Sequence, residues 1–242
     1  MPCMQILGRP WKRGEVLLAD GAWGTEFDRR GLMQGNPSDE WNLSHPEIVR
    51  EVTREYLEAG AVVILTNTFG GSRMRLEQHG LADRTRDVNL AGARIAREVV
   101  DGRAVVAGDI GPSGRLLALG ETSEDDLYAA FAEQAAALAE GGVDWIVVES
   151  MSDAGEMAAA VRAARSATGL PVVASMTYNR SPRGFRTMMG TTPEQAAETL
   201  RRGCVRSRYA HFGTRFRRML CLPERARGLP GATSRSPLPA LP

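Results

Sequence analysis

Five polar clusters stand just past five apolar runs, and they hold the residues with the most chemical capacity in the chain. DGAWGT at 20–25 follows the run at 16–19, and TNTFG at 66–70 follows 61–65. DIGPSG at 109–114 follows 104–107, Glu149-Ser150 follows 145–148, and Thr177-Tyr178-Asn179 follows 172–174. If each run is a strand of a parallel sheet, its carboxyl end is where α/β folds place their chemistry. Carboxylates, amides and hydroxyls then converge on one face, with glycines that let the backbone approach a small ligand. Such a face suits a small zwitterion. A carboxylate binds its ammonium group, and backbone N–H groups hold its carboxyl. Asp20 and Glu149 each close an otherwise apolar run and are the best candidates. An acid/base pair made of the same two residues is the alternative. Asn67, Asp109 and Asn179 are candidates by strand-end position alone.

The elements that must carry these residues follow from hydrophobic patterning. The five runs read as parallel strands, apolar on both faces. Between them lie helical patterns: Val88, Ala91, Ile95 and Val99 share one period, and Leu127, Ala130, Phe131, Gln134, Ala135 and Leu138 another. Ser44-His45-Pro46-Glu47 and Thr192-Pro193-Glu194-Gln195 read as capping boxes at helix starts. Five β-then-α units predict an α/β fold with a parallel sheet and right-handed crossovers, either a (β/α)8 barrel or an open doubly wound sheet. A full barrel takes about 250 residues, and five units already reach residue 202.

Composition narrows the function classes. The 242 residues carry a formal charge of +1, and 43% are hydrophobic. No apolar run reaches the length of a membrane span, and residues 1–14 lack the apolar stretch of a signal peptide. Three cysteines make no disulfide framework. A soluble cytoplasmic protein is the expectation, with no membrane partner. Charge is uneven, however. Residues 203–242 hold eight arginines against one acid, whereas the other 202 residues hold 22 basic and 28 acidic side chains. Aromatic residues interleave with arginine in this tail, but no nucleic-acid-binding motif fits it. Gly-Pro-Ser-Gly at 111–114 reads as a turn rather than a phosphate loop. His45, His79 and His211 lack metal-ligand spacing. Met188-Met189 reads as packing.

Five ordered stretches carry a resemblance: LADGAWGTEFDRRG (18–31), NLSHPEIVREVTREYLEAGAVVILTNTFGGSRMRL (42–76), GDIGPSGRLLALG (108–120), AFAEQAAALAEGGVDWIVVESMSD (130–153) and SMTYNRSPRGFRTMMGTTPEQAAETL (175–200). Together they resemble the homocysteine S-methyltransferase family, which includes betaine–homocysteine methyltransferases and the N-terminal domain of cobalamin-dependent methionine synthase. The resemblance implies a (β/α)8 TIM barrel that moves a methyl group onto homocysteine sulfur to give methionine. It also implies zinc, which holds that sulfur as thiolate; a free thiol, with a pKa of about 8.5, is mostly protonated at neutral pH. By resemblance Asp20 and Gly21 line the substrate site, Glu149 receives the homocysteine amino group, and Thr68 and Phe69 face the site from the second strand's loop. No catalytic residue is assignable. The implied partners are homocysteine and a small methyl donor; betaine, S-methylmethionine and methylcobalamin or folate stay open.

The family's zinc cysteines lie in Gly-x-Asn-Cys and Gly-Gly-Cys-Cys segments, and neither occurs here. Cys3, Cys204 and Cys221 stand elsewhere, so zinc is a family cofactor that this chain is not expected to bind. Family-like sequence stops after residue 203, which reads as a frameshift or a C-terminal truncation. The expected organisation is a partial domain at 1–203 and an unrelated tail at 204–242, with a short helix at 214–222 and disorder after Pro223. About five βα units would leave an incomplete barrel. Strands one and five would be exposed edges prone to self-association. Three outcomes stay open: a methyltransferase, an inactive fragment, and an anion- or nucleic-acid-binding tail.

Overall fold

Apolar runs and amphipathic stretches alternate along the chain, and in a computed structural model they become strands and helices in that order. Residues 5–10, 15–32, 35–182, 184–203, 209–213 and 219–221 are described. A small hairpin, β1 (Gln5–Ile6) and β2 (Arg9–Pro10), precedes α1 (Trp23–Arg29), α2 (Trp41–Ser44) and α3 (Pro46–Glu58). Then β3 (Val63–Leu65) leads to α4 (Arg73–Glu77) and α5 (Thr85–Val100). Three further units follow: β4 (Val105–Ile110) with α6 (Glu124–Glu140), β5 (Trp145–Met151) with α7 (Ala154–Thr168), and β6 (Val172–Thr177). A hairpin of β7 (Asn179–Ser181) and β8 (Gly184–Arg186) separates β6 from α8 (Pro193–Gly203). Last come β9 (Tyr209–Gly213) and β10 (Met219–Cys221).

The main sheet runs β10-β9-β6-β5-β4-β3, parallel from β3 through β9, with β10 antiparallel at its end. Strand order follows chain order. Ile64, Val106, Ile146, Val148, Ala174 and Met176 face one way and pack with helix residues such as Val100, Phe131, Leu138 and Met157. The residues between them face the other way. There Val63, Val105, Ala107 and Trp145 cluster with Leu17, Leu65, Val147 and Val173, and no helix residue joins them. Helices on one face and sequential strands are the winding of a barrel; a doubly wound sheet has helices on both faces. Among the described residues the sheet keeps two ends.

Helix signals had mixed outcomes. The box at 192–195 forms: Thr192 N–H donates to Gln195 Oε1 at 2.9 Å, and Gln195 N–H to Thr192 Oγ1 at 3.2 Å. The box expected at Ser44 does not. Ser44 ends α2, its hydroxyl donates back to Glu40 O, and His45 caps α3 without a side-chain bond. A short helix immediately upstream already claims the serine.

Two strand expectations and one helix expectation are corrected. Residues 16–19 are not a buried strand: a single parallel bridge joins Ala19 to Val63, while Val16 is 89% and Leu18 59% exposed. With no described strand on its other side, the run has only one neighbour. The fifth run is not an open edge, because β9 pairs with β6 through Ala174–Ala210 to Thr177–Gly213. Met219–Cys221 is strand rather than helix, and 214–218 and the stretch after Pro223 lie outside the described residues. Met188, expected to pack, is 71% exposed.

Candidate functional site

The period of two in a strand decides which way each strand-end side chain points. Asp109 follows Val105 and Ala107 on the helix-free face, and Glu149 follows Trp145 and Val147. Asp109 pairs with Val147, so Glu149 stands one inward-facing position further along the neighbouring strand. At that point β5 bulges. Val148 pairs with Ala174 but Met151 with Met176, so β5 carries one residue more than β6, and Ser150 sits at φ +58°. Bulges re-aim side chains at strand ends, and this one lies beside Glu149.

Asp20 is anchored from the other side. Its Oδ2 accepts the Leu65 N–H at 2.9 Å and the Trp23 indole N–H at 3.0 Å. Its neighbour Gly21 lies under Tyr56: a Cβ there would stand 3.0 Å from that ring and its hydroxyl, which donates to Ala22 O.

The three carboxyls act on one another. Burial pushes Asp20 up to about 7 against the two N–H donors, and Glu149 adds to the rise. Burial raises Asp109 well above the usual carboxylate range, and Glu149, Asp20 and Asp39 raise it further. Burial raises Glu149 too. Asp109 Oδ1 has no hydrogen-bond partner among the described residues. Each carboxyl that ionises therefore disfavours ionisation of its neighbours.

Thr66, Thr68 and Asp109 form a closed clip. Asp109 N–H donates to Thr66 Oγ1 at 3.0 Å, and Thr68 Oγ1 donates to Asp109 O at 2.8 Å. The two hydroxyls are 2.5 Å apart. The Thr68 proton already points at Asp109, so Thr66 is the donor between them. The Thr68 hydroxyl is thus engaged between β3 and β4. Phe69 is 42% exposed and lies over Gly111, whose N–H donates to Phe69 O at 2.9 Å. Asn67 turns to the preceding segment: its Nδ2 donates to Ser38 O and Asn42 Oδ1. Asn179 is exposed and pairs with Arg186 in the β7–β8 hairpin.

Other residues build the site without any strand-end signal. Asp39, buried in the turn at 38–40, accepts the Gly70 N–H at 2.8 Å, and burial raises it to about 6. Gln134 on α6 reaches Thr68 O at 2.8 Å. Glu156 accepts both the N–H and the hydroxyl of Ser113, so the 111–114 turn already has an anion of its own on that N–H. Asp39 sits in an ordinary polar turn, and only the fold brings it to residue 70. Gln134 was visible as a polar residue on an apolar helix stripe.

Among the described residues no three of His, Cys, Asp or Glu are grouped to hold a metal ion. Cys3 and Cys204 lie outside the described residues, and no described helix is long and apolar enough to cross a membrane.

A family model described as homocysteine S-methyltransferase matches residues 17–210. Methionine synthase of Mycobacterium tuberculosis is 36% identical over 166 residues, 63% of this chain and 14% of that protein. Betaine–homocysteine S-methyltransferase 1 of Sus scrofa is 35% identical over 193 residues, 77% of this chain and 67% of that protein. The matched part thus spans a small fraction of the first relative and about two thirds of the second. Among solved structures, the metallated form of the homocysteine methyltransferase MmuM from Escherichia coli superposes with a TM-score of 0.68 at 23% identity. It covers 79% of this chain and 72% of that one, a likeness of fold.

Proposed function

The chain belongs to the homocysteine S-methyltransferase family, and from that membership we propose that it holds homocysteine as the methyl acceptor of a reaction that yields methionine. The observation that carries this is the meeting of Asp20, Asp109 and Glu149 at the carboxyl end of the sheet. A buried acidic cluster favours a cation, and the ammonium of an amino acid is one. In this reading Glu149 takes the ammonium group. Asp20 and the turn at Gly21 line the site, with backbone N–H groups of that turn on the substrate carboxyl. Thr68 acts through the loop it anchors, and Phe69 over Gly111 forms an apolar wall beside the acceptor's methylenes. Asn67 braces that loop. Methyl transfer itself breaks the donor–methyl bond and forms the sulfur–methyl bond, and the thiol proton leaves to solvent.

The cysteines of this chain do not fit the zinc that the family implies. Neither Gly-x-Asn-Cys nor Gly-Gly-Cys-Cys occurs in the sequence. What this chain's residues do is bind and orient the acceptor. The same observation favours a second reading: a chain of the family that binds homocysteine and turns nothing over.

Calorimetric titration of the full chain with L-homocysteine tests the first reading. Saturable binding that E149Q weakens about tenfold or more supports it; no binding overturns it. Methionine formation with betaine, S-methylmethionine or methylcobalamin, measured beside zinc content per chain, separates the two readings. Turnover favours the enzyme. Binding without turnover favours the silent acceptor-binding chain.

A further inference from the structure

Asp109 is the one member of the acidic cluster whose backbone is locked while one carboxyl oxygen is left open; the Ile110 N–H engages the carboxyl from the backbone. Its N–H and C=O are both engaged by the threonine clip, and Gln134 Nε2 lies 3.4 Å from the same carbonyl. The residue is only 4% exposed, yet Oδ1 meets no partner among the described residues. A buried polar atom without a partner is rare and costly. It points to a group that arrives later.

Asp109 pairs with Val147, so Glu149 follows on the same face of the adjacent strand; among the described residues the charges that act most on Asp109 are Glu149 from β5, Asp20 from the segment beside β3, and Asp39 from the turn at 38–40. Gln134, from α6, is neutral. Neighbouring carboxylates in a buried site do not both ionise, because each charge disfavours the other. We propose that Asp109 and Glu149 act as one proton-sharing pair that receives the acceptor's ammonium group, so that homocysteine binding expels the shared proton. This deepens the homocysteine reading and rests on it. The balance is simple: the ammonium keeps its three protons, the pair loses one to solvent, and no covalent bond to carbon changes. Asp109 is thereby a substrate-binding residue that selects for amino acids over their deaminated analogues.

Titration of the full chain with L-homocysteine in buffers of differing ionisation enthalpy counts the protons released. Wild type is expected to release most of one proton per homocysteine near neutral pH. D109N, with its fold checked by circular dichroism, is expected to bind about tenfold more weakly and to release less than half as many protons. Binding by wild type with an equal proton count in D109N overturns this inference and leaves the homocysteine reading standing. No binding by wild type overturns both. A readout without any variant is the infrared difference spectrum of wild type on homocysteine binding. Loss of a protonated-carboxyl stretch supports the pair; an unchanged carboxyl region overturns it. 4-Mercaptobutyrate, which lacks the ammonium group, should bind at least about tenfold more weakly or not at all, and without proton release; equal affinity, or release with this analogue, also overturns it.

Discussion

The carboxylate of Asp20 accepts the backbone N–H of Leu65 at 2.9 Å. This bond reaches across the same short contact where Ala19 makes its single bridge to Val63. The residue proposed to line the acceptor's site is therefore also a staple that holds the first segment on β3.

Replacing Asp20 separates those roles. D20A leaves the Leu65 N–H and the Trp23 indole N–H without their acceptor and should cost about 1–3 kcal/mol. D20N keeps an oxygen acceptor and should cost less, while it weakens homocysteine binding. Urea denaturation and calorimetric titration of both variants check the split. Equal stability losses would place the staple elsewhere.

Stability should fall as pH rises from about 4 toward 7. The sign follows from the direction of the shifts. Asp20 is raised to about 7 and Asp39 to about 6, with Asp109 and Glu149 raised as well. Between the unfolded and folded values the folded chain binds more protons than the unfolded one. Their contribution is complete below the unfolded pKa and is lost as pH rises through the folded pKa. Urea midpoints measured across this window should drop, and D20N should flatten the slope between pH 5 and 7. A rising midpoint would contradict the buried cluster.

Gly111 has no room for a side chain. A Cβ there would come within 2.6 Å of the Phe69 ring. G111A should therefore destabilise by about 1–3 kcal/mol and displace Phe69 from the site. F69A should absorb part of that cost in the double variant, as contacting residues couple. A double-mutant cycle by urea denaturation measures it; strictly additive costs would mean that the ring does not rest on this glycine.

The threonine clip should behave as a unit. T66V removes the acceptor of the Asp109 N–H, and T68V removes the donor to its carbonyl. Each should cost about 1–3 kcal/mol, and the double variant less than their sum, because both substitutions break one closed ring of bonds. Amide exchange at Asp109 reports the same event: its N–H should lose protection in T66V.

Much of this molecule is local in origin. Apolar runs at 61–65, 104–107, 145–148 and 172–174 became strands that bury one face under helices and cluster their other apolar side chains together, and a run that is apolar on both faces signals this in its composition. The period of Leu127, Phe131, Gln134 and Leu138 marked the buried stripe of α6. Asp109 and Glu149 were legible as acids just past apolar runs, since alternation fixes their direction once the strand is known, whereas Asp20 follows a run that makes only a single bridge.

What sequence patterning missed was non-local. The run at 16–19 looks like the others, but burial needs a neighbour on each side, and it has one described neighbour. Ser44 carries a cap signal that a preceding helical turn overrides. Tyr209–Gly213 shows no strong period, yet the edge of β6 recruits it into the ladder. Asp39 reaches Gly70 across 31 residues, and the mutual repulsion of three carboxyls exists only where three chain segments converge. Hydrophobic period and strand-end chemistry are properties of neighbouring residues; which edges find partners, and which charges share a buried space, depend on distances between segments far apart in the chain.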